Sequence, residues 1–160
     1  MNCTYLKKIS VFPVTIFLLL TLVWECSPLF ASPKIATLQK VSGTATVVRQ
    51  GQTISATVGL EIWESDTLRT GPNGSMGVVF NDDTLLSLGP GSVLVVDKFM
   101  FAPRQGKFSI VLRMIKGTAV YLSGLISRLA PESAYFETPT ASIGIRGTKF
   151  VVKVEEERKK

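Results

Sequence analysis

From Ile35 onward the chain is a succession of short runs of Val, Ile, Leu, Thr and Phe, most of them four to eight residues long and separated by glycines. Runs of this length and composition, bounded by turn residues, are typical of β-strands. Helical periodicity is nearly absent, and a single helical turn is expected only within residues 121–128. The pattern predicts an all-β single domain with many short strands and glycine-rich turns, either an irregular β-solenoid or a β-roll or sandwich-like fold. The predicted strands are Lys40–Val48, Thr53–Val58, Thr67–Thr70, Ser75–Phe80, Thr84–Leu88, Ser92–Val96, Lys107–Met114, Thr118–Leu122, Ala134–Thr138, Ala141–Ile145 and Lys149–Val154.

Three connections between predicted strands contain residues that suit tight turns. Residues 71–74 (Gly-Pro-Asn-Gly) and 89–92 (Gly-Pro-Gly-Ser) combine residues that accept positive φ with a proline that fixes φ, and residues 81–83 (Asn-Asp-Asp) fit a hairpin. In the predicted strand Ser75–Phe80, alternate residues share a face, so Met76, Val78 and Phe80 are predicted to be buried. The dipeptide Gly-Thr also begins three of the apolar runs, and the distances between the three along the chain are unequal. We interpret it as a local corner, in which Gly permits the chain to bend before a strand begins.

The N-terminal segment has the layout of a secretory signal peptide. Lys7 and Lys8 precede an uncharged stretch of 16 residues, Ile9–Trp24, which Pro13 interrupts. We predict cleavage after Ala31, and the alternative is an uncleaved membrane anchor, since roughly 20 apolar residues span a bilayer. The protein is therefore predicted to be periplasmic or secreted, or anchored in the inner membrane by this segment. The predicted division of the chain is a targeting segment at 1–31, a β domain at 34–154 and a charged tail at 155–160.

Histidine is absent from the chain, and both cysteines, Cys3 and Cys26, lie in the predicted targeting segment. The missing histidine removes the commonest general base and every Ser-His or Cys-His pairing, which argues against an enzyme. After cleavage the chain would keep 16 basic and 11 acidic residues, a net charge of +5. That charge favours polyanionic surfaces in general. Nucleic acid is not an expected partner, because the basic residues are scattered rather than interleaved with aromatic ones.

Two groups of acidic residues are the candidates for acid-base chemistry. Asp82 and Asp83 fall in the predicted hairpin, and Glu61, Glu64 and Asp66 precede a predicted strand. We interpret the first pair as turn formers with solvated charges and the second group as solvated residues at the rim of the sheet. Neither spacing resembles a calcium-binding loop. We therefore predict no catalytic residue, no metal site and no cofactor.

Arg146 is the most suggestive single residue. It lies between Ile145 and Gly147 in the otherwise uncharged run Thr138–Thr148. Because an unpaired guanidinium is costly to bury, we predict that Arg146 is at least half buried and is paired with backbone carbonyls or with a carboxylate such as Asp66. The alternative is that its planar donors anchor a ligand or a partner.

The residues around Arg146 resemble the closing motif of the periplasmic FecR domain family. The block Thr-Pro-Thr-Ala-Ser-Ile-Gly-Ile-Arg-Gly-Thr-Lys-Phe at 138–150 follows the family order of Thr-Pro, a small-residue strand and Arg-Gly-Thr-x-Phe, and the resemblance extends from about Val41 to Val154. Weaker matches occur at 65–71 and 80–84, where Ser65 and Asp83 stand in place of the family's glycines. We predict a structural role for the motif residues Asp66, Thr70, Asp82, Thr84, Thr138, Pro139, Arg146, Gly147, Thr148 and Phe150.

The resemblance implies a non-enzymatic, all-β module outside the inner membrane that takes part in signal relay. In the founding regulators a sigma-factor-binding segment and a transmembrane helix precede this domain, and a small domain follows it. Only eight residues precede the hydrophobic stretch here, so we expect the extracytoplasmic module alone. We predict an envelope protein as its partner, bound through an exposed sheet edge or through loops. The alternative is a cell-wall or extracellular polyanionic polysaccharide, which the positive charge favours.

Overall fold

The computed structural model describes residues 33–147 and 149–155. The predicted targeting segment with its cleavage after Ala31, Thr148 and residues 156–160 of the charged tail lie outside the described residues. The described strands are β1 (Ala36–Ser42), β2 (Ala45–Arg49), β3 (Gln52–Ser55), β4 (Glu61–Ile62), β5 (Thr67–Thr70), β6 (Ser75–Phe80), β7 (Leu85–Leu88), β8 (Val93–Ala102), β9 (Lys107–Leu122), β10 (Ala134–Glu137), β11 (Ser142–Gly144) and β12 (Lys149–Val154). They are accompanied by one turn of α-helix, α1 (Ile126–Leu129), and by 3-10 turns at Pro103–Gln105 and Pro131–Ser133.

The predicted all-β single domain is confirmed, and it takes the form of one curled, open sheet. The main path through the sheet runs β3-β2-β5-β8-β9-β7-β6-β1-β4, and β10, β11 and β12 add to it beside β9. Within the described part of the chain, every strand pairing is antiparallel except that of β10 with β9, which the chain reaches through α1. Curling brings both halves of the sheet around one hydrophobic core.

Alternation along the strands determines which side chains fill this core. In β6, Met76, Val78 and Phe80 are buried while the residues between them are only partly covered, as predicted. The neighbouring strand β7 buries Leu86 and Leu88 in the same way. Burying an aliphatic or aromatic side chain of this size contributes about 1.5–3 kcal/mol. The apolar positions of the strands therefore supply the main driving force for folding.

Strand β9 belongs to both halves of the sheet. Its first part pairs with β8 and its last part with β7. The prediction of two strands, Lys107–Met114 and Thr118–Leu122, is wrong because the chain continues through Gly117 with a φ of +98°, just after a shift of register against β8. A Cβ at Gly117 would collide with Ser92, so glycine is required where the strand bends from one half of the sheet to the other.

The first predicted strand, Lys40–Val48, is also wrong, because the chain turns at its centre and forms β1 and β2. Gly43 has a φ of +62° at this turn, and a Cβ there would collide with the carbonyl of Asn73. Strand β8 continues beyond its predicted end at Val96, and the two-residue β4 was not predicted. The single turn α1 falls partly within residues 121–128, where a helical turn was expected.

Candidate functional site

Asp66, which immediately precedes β5, is fully buried and paired with Arg49 at the end of β2. Nε and Nη2 of Arg49 donate to the two carboxylate oxygens at 2.9 and 2.7 Å, and the backbone N–H of Trp63 donates to the same carboxylate at 2.8 Å. The guanidinium also donates to the carbonyl of Glu61 at 2.7 Å and lies 3.8 Å from the centre of the Trp63 ring. Its hydrogen bonds to Asp66 outweigh desolvation and raise the pKa of Arg49. We call these residues the Asp66 corner.

The prediction of a solvated Asp66 is therefore wrong, whereas Glu61 and Glu64 are exposed as expected. The reason lies in the strand order, because β2 and β5 are neighbours and their register brings Arg49 over the carboxylate. Glu64 nevertheless contributes a hydrogen bond, since its carboxylate accepts from the backbone N–H of Phe99 at 3.1 Å. The carboxylates of Asp66 and Glu64 thus take part in the framework of the fold, whereas the carboxylate of Glu61 is exposed.

Thr70, at the end of β5, connects two turns. Its hydroxyl donates to the carbonyl of Gly89 at 2.6 Å and accepts from the backbone N–H of Ser92 at 2.8 Å. The Ser92 hydroxyl in turn donates to the carbonyl of Thr118 at 3.1 Å and accepts from its N–H at 3.0 Å. This chain of hydrogen bonds ties β5 and the turn before β8 to the bend of β9.

Asp82 and Thr84 form a second buried corner. The carboxylate of Asp82 accepts bonds from the backbone N–H of Thr84 at 3.2 Å, the Thr84 hydroxyl at 2.8 Å and the backbone N–H of Ile126 at 3.2 Å. The Thr84 hydroxyl also accepts from the N–H of Gly124 at 3.1 Å. The prediction that Asp82 is solvated is wrong, because α1 packs over the β6–β7 hairpin. Asp83 is exposed at the tip with a φ of +65°, as expected of a turn residue.

Phe150 holds β12 against the core. Its ring stacks on that of Tyr121 at a centroid distance of 5.1 Å and meets Phe136 edge-on at 5.6 Å. Tyr121 is fully buried, and this burial raises its pKa. Aromatic pairs of this kind add about 0.5–1.5 kcal/mol to the free energy gained from burial alone. The inner face of β12 is therefore firmly attached.

Arg146 is exposed, and within the described residues it forms no hydrogen bond or ion pair. The prediction of a half-buried Arg146 paired with Asp66 is wrong, because Arg49 occupies that carboxylate. Its neighbour Ile145 is buried instead, so the apolar flank of the motif packs without the arginine. Gly147 is exposed with a φ of +57°, and Thr148 lies outside the described residues.

A cleft opens where β10 and β12 diverge along β9. β10 pairs with β9 as far as Arg113, and β12 pairs with it from Gly117 onward. The space between the two strands has a volume of about 740 Å³. Thr138 shapes one rim, because its hydroxyl donates to the carbonyl of Ala141 at 3.1 Å and accepts from the Ala141 N–H at 3.0 Å. The lining residues are Ile115, Lys116, Thr138, Pro139, Thr140, Ile143, Val151, Val152, Lys153, Val154 and Glu155.

Strand β12 is an edge, since β9 is its only strand partner in the part of the chain that the structure describes. Lys149, Val151 and Lys153 are exposed, Val151 to 63%, while the residues between them are partly buried. An edge strand leaves alternate N–H and C=O groups without a ladder partner. β12 contains no proline, and its register with β9 is continuous. We call β12 together with the cleft the open edge.

The outer face of the sheet beside the open edge is apolar. The strand registers place Val79, Leu85, Leu122 and Lys149 in one row across β6, β7, β9 and β12. Leu85 and Leu122 are both exposed, and a shallow hollow of about 310 Å³ lies among these residues. A strand added to β12 would therefore lie beyond Lys149, at the border of this apolar surface.

The open edge brings together only part of the motif predicted from the sequence. Thr138 and Pro139 line it and Phe150 anchors it, whereas Asp66, Asp82 and their partners lie in the buried corners. Sequence reasoning missed the exposed side of the site, Val151, Lys149 and Lys153. Their alternation with apolar residues is visible in the sequence, but the sequence does not show that no other described strand pairs with β12.

The residues that the structure describes contain no group of His, Cys, Asp and Glu side chains arranged to hold a metal ion. In the same residues, no helix has both the length and the apolar character needed to cross a bilayer. Asp66 and Asp82 are engaged by donors of the fold itself, which leaves the open edge as the candidate site.

A comparison with protein families identifies the larger part of the chain. The family model described as FecR protein matches residues 66–160, which is more than half of the sequence. The matched region begins at Asp66 itself and includes the whole open edge. No curated protein and no solved structure matches the chain.

Proposed function

This chain belongs to the FecR protein family, and we propose that it is an extracytoplasmic module that binds an envelope protein in signalling or scaffolding. The family is one of non-enzymatic signalling regulators that are typically associated with the cell envelope. A chain without histidine, and without cysteine beyond Cys26, also favours binding over catalysis. The predicted targeting segment supports a periplasmic or secreted location, or attachment to the inner membrane through that segment.

The single observation that carries this proposal is the open edge. Strand addition at β12 would supply main-chain hydrogen bonds, and the cleft beside it would receive alternate side chains of the partner. The apolar part of the cleft, with Ile143, Val152 and Val154, suits such side chains. Arg146 lies three residues before β12 with an exposed guanidinium, so it can bind a carboxylate of the same partner.

The proposal is tested by placing a charge inside the open edge. Val154→Lys introduces a charged side chain that points toward the cleft, a device that natural edge strands use to prevent pairing. Val41→Lys is the matched control, because both valines are partly buried against the core but Val41 lies on β1. Both variants and the unmodified protein are used to capture envelope proteins, which are quantified by mass spectrometry. We expect Val154→Lys to lose a protein that Val41→Lys retains.

Equal capture by the two variants, with both shown to be folded by thermal melting, would contradict binding at the open edge. The salt dependence of capture separates protein binding from the polyanion alternative. Binding to a polyanionic polysaccharide weakens steeply between low and physiological salt, whereas strand addition through main-chain hydrogen bonds does not. Strongly salt-sensitive binding of polysaccharide, unaffected by Val154→Lys, would favour the alternative.

A further inference from the structure

We infer that the segment added to β12 is an extended peptide with apolar side chains on one face and acidic side chains on the other. This inference rests on the strand addition proposed above. It follows from the two different faces that the open edge offers to a neighbouring strand. A strand has only two faces, so its sequence must match both at once.

The outward face of β12 is basic. Lys149 and Lys153 stand four residues apart on this face, with Val151 between them, and all three side chains are exposed. A strand paired with β12 places a side chain directly opposite each of these positions, about 4.5–5.5 Å away between Cβ atoms. Acidic residues opposite the two lysines stabilise the pairing, and basic residues there destabilise it. The face of the partner strand that lies beside Lys149 and Lys153 is therefore acidic.

The inward face of the added strand meets the cleft. Val152 and Val154 continue the inner face of β12, and Ile143 of β11 lines the opposite wall. Ile115 of β9 also lines the cleft. Apolar side chains that pack against this apolar part of the lining are removed from water, which favours them there. The residues between the acidic positions of the partner are therefore apolar.

Charge near the edge is consistent with this pattern. Lys153 forms an ion pair with Glu155 at 2.7 Å, but both side chains are largely exposed and such pairs are weak. A carboxylate on an added strand can therefore replace Glu155 as the partner of Lys153. Lysines on an edge strand also discourage pairing between identical edges. The two lysines thus favour an acidic partner over a second copy of this chain.

Two synthetic peptides of equal length test the inference by fluorescence anisotropy. One alternates glutamate with valine, and the other alternates lysine with valine. We expect the unmodified protein to bind the glutamate peptide about fivefold more tightly, since two cross-strand charge pairs distinguish the peptides. The double variant Lys149→Glu/Lys153→Glu should reverse this preference. Because both lysines are exposed, its melting temperature serves as the control for folding.

The outcomes separate this inference from the proposed function. Equal affinities for both peptides in the unmodified protein and in the double variant, with binding still lost in Val154→Lys, would overturn the acidic pattern but keep strand addition. Failure of the unmodified protein to bind either peptide would overturn both. Sedimentation that shows dimers dissociated by Val154→Lys would assign the open edge to a second copy of the chain instead.

Discussion

The Asp66 corner contains one arginine, Arg49, and a second, Arg146, lies three residues before the open edge; the two differ in burial and in their partners. Arg49 is only 16% exposed, donates two hydrogen bonds to a fully buried carboxylate and covers the ring of Trp63. Arg146 is exposed and has no such partner among the described residues. The arginine that lies in an apolar stretch of the sequence, Arg146, is therefore not the one that pairs with a buried carboxylate. Strand register decides that role, because it determines which guanidinium reaches the buried carboxylate.

The difference also separates stability from binding within one sheet. The carboxylates of Asp66 and Asp82 are both committed to donors of the fold. Along β12 the inner face is packed through Phe150, while the edge that points away from β9 has no strand partner among the described residues. Substitutions in the corner should change the free energy of unfolding, and substitutions at the edge should change binding.

The largest effect is expected for Arg49→Ala. It leaves the buried Asp66 carboxylate without its cation, so we expect the free energy of unfolding to fall by about 3 kcal/mol. Chemical denaturation followed by circular dichroism measures the change. Arg69→Ala, which removes an exposed arginine from the adjacent strand β5, is the matched control and should be close to neutral. Similar losses in both variants would contradict the special role of the corner.

A smaller effect is expected for Arg49→Lys. Lysine keeps the positive charge but cannot form the two-pronged bond to Asp66 while also donating to the carbonyl of Glu61. We expect a loss of about 1 kcal/mol, between the unmodified protein and Arg49→Ala. The same denaturation experiment measures it. A variant as unstable as Arg49→Ala would show that geometry, rather than charge, accounts for the whole contribution.

The inner side of the open edge should show a pH dependence through Tyr121. Burial raises the pKa of Tyr121 in the folded protein, so the unfolded chain ionises first as the pH rises above about 10. The contribution of Tyr121 to stability is complete below that pH and is lost as the pH climbs toward the raised pKa. We expect the stability of Tyr121→Phe, measured by thermal melting, to fall less steeply with pH between about pH 9 and 11 than that of the unmodified protein. Tyr135→Phe, which removes the hydroxyl of an exposed tyrosine, is the matched control.

The smallest effect on stability is expected for Arg146→Ala. Because the side chain is exposed and unpaired among the described residues, the free energy of unfolding should change by less than about 0.5 kcal/mol. The same preparation should bind its partner more weakly if Arg146 contacts a partner carboxylate. Thermal melting and binding are measured together. A large drop in melting temperature would show that Arg146 stabilises the fold, as Arg49 does, and would contradict the contrast between the two arginines.

Local sequence was sufficient to predict much of the sheet. The bounds of Thr67–Thr70, Ser75–Phe80 and Lys149–Val154 match the structure, because each run is short, apolar at alternate positions and limited by turn residues. The errors occur at glycines whose role depends on distant residues. Gly117 lies within β9 at a place where Ser92 leaves no room for a Cβ atom. Gly43 follows the end of β1, where the carbonyl of Asn73 leaves no room for one. Neither contact can be read from the residues next to the glycine in the chain.

The site was harder to predict for the same reason. The pairing of Arg49 with Asp66 joins residues 17 positions apart, and it exists only once β2 and β5 are in register. Asp82 is buried because α1, more than 40 residues later, covers it. The open edge depends on where strands are missing, and only the assembled sheet shows that. Composition and turn chemistry therefore predict the elements, while the site follows from their arrangement.

The position of β9 in two halves of the sheet also affects how the chain reaches its native state. In the folded sheet, β1, β4, β6 and β7 form one group of paired strands and β2, β3, β5 and β8 form another, and β9 joins the two. Folding of a chain that emerges N-terminus first must therefore wait for residues 107–122. Pairings between distant segments form slowly, and unpaired strands are prone to aggregate in the meantime. Factors that keep the early strands apart until β9 emerges would thus increase the yield of folded protein.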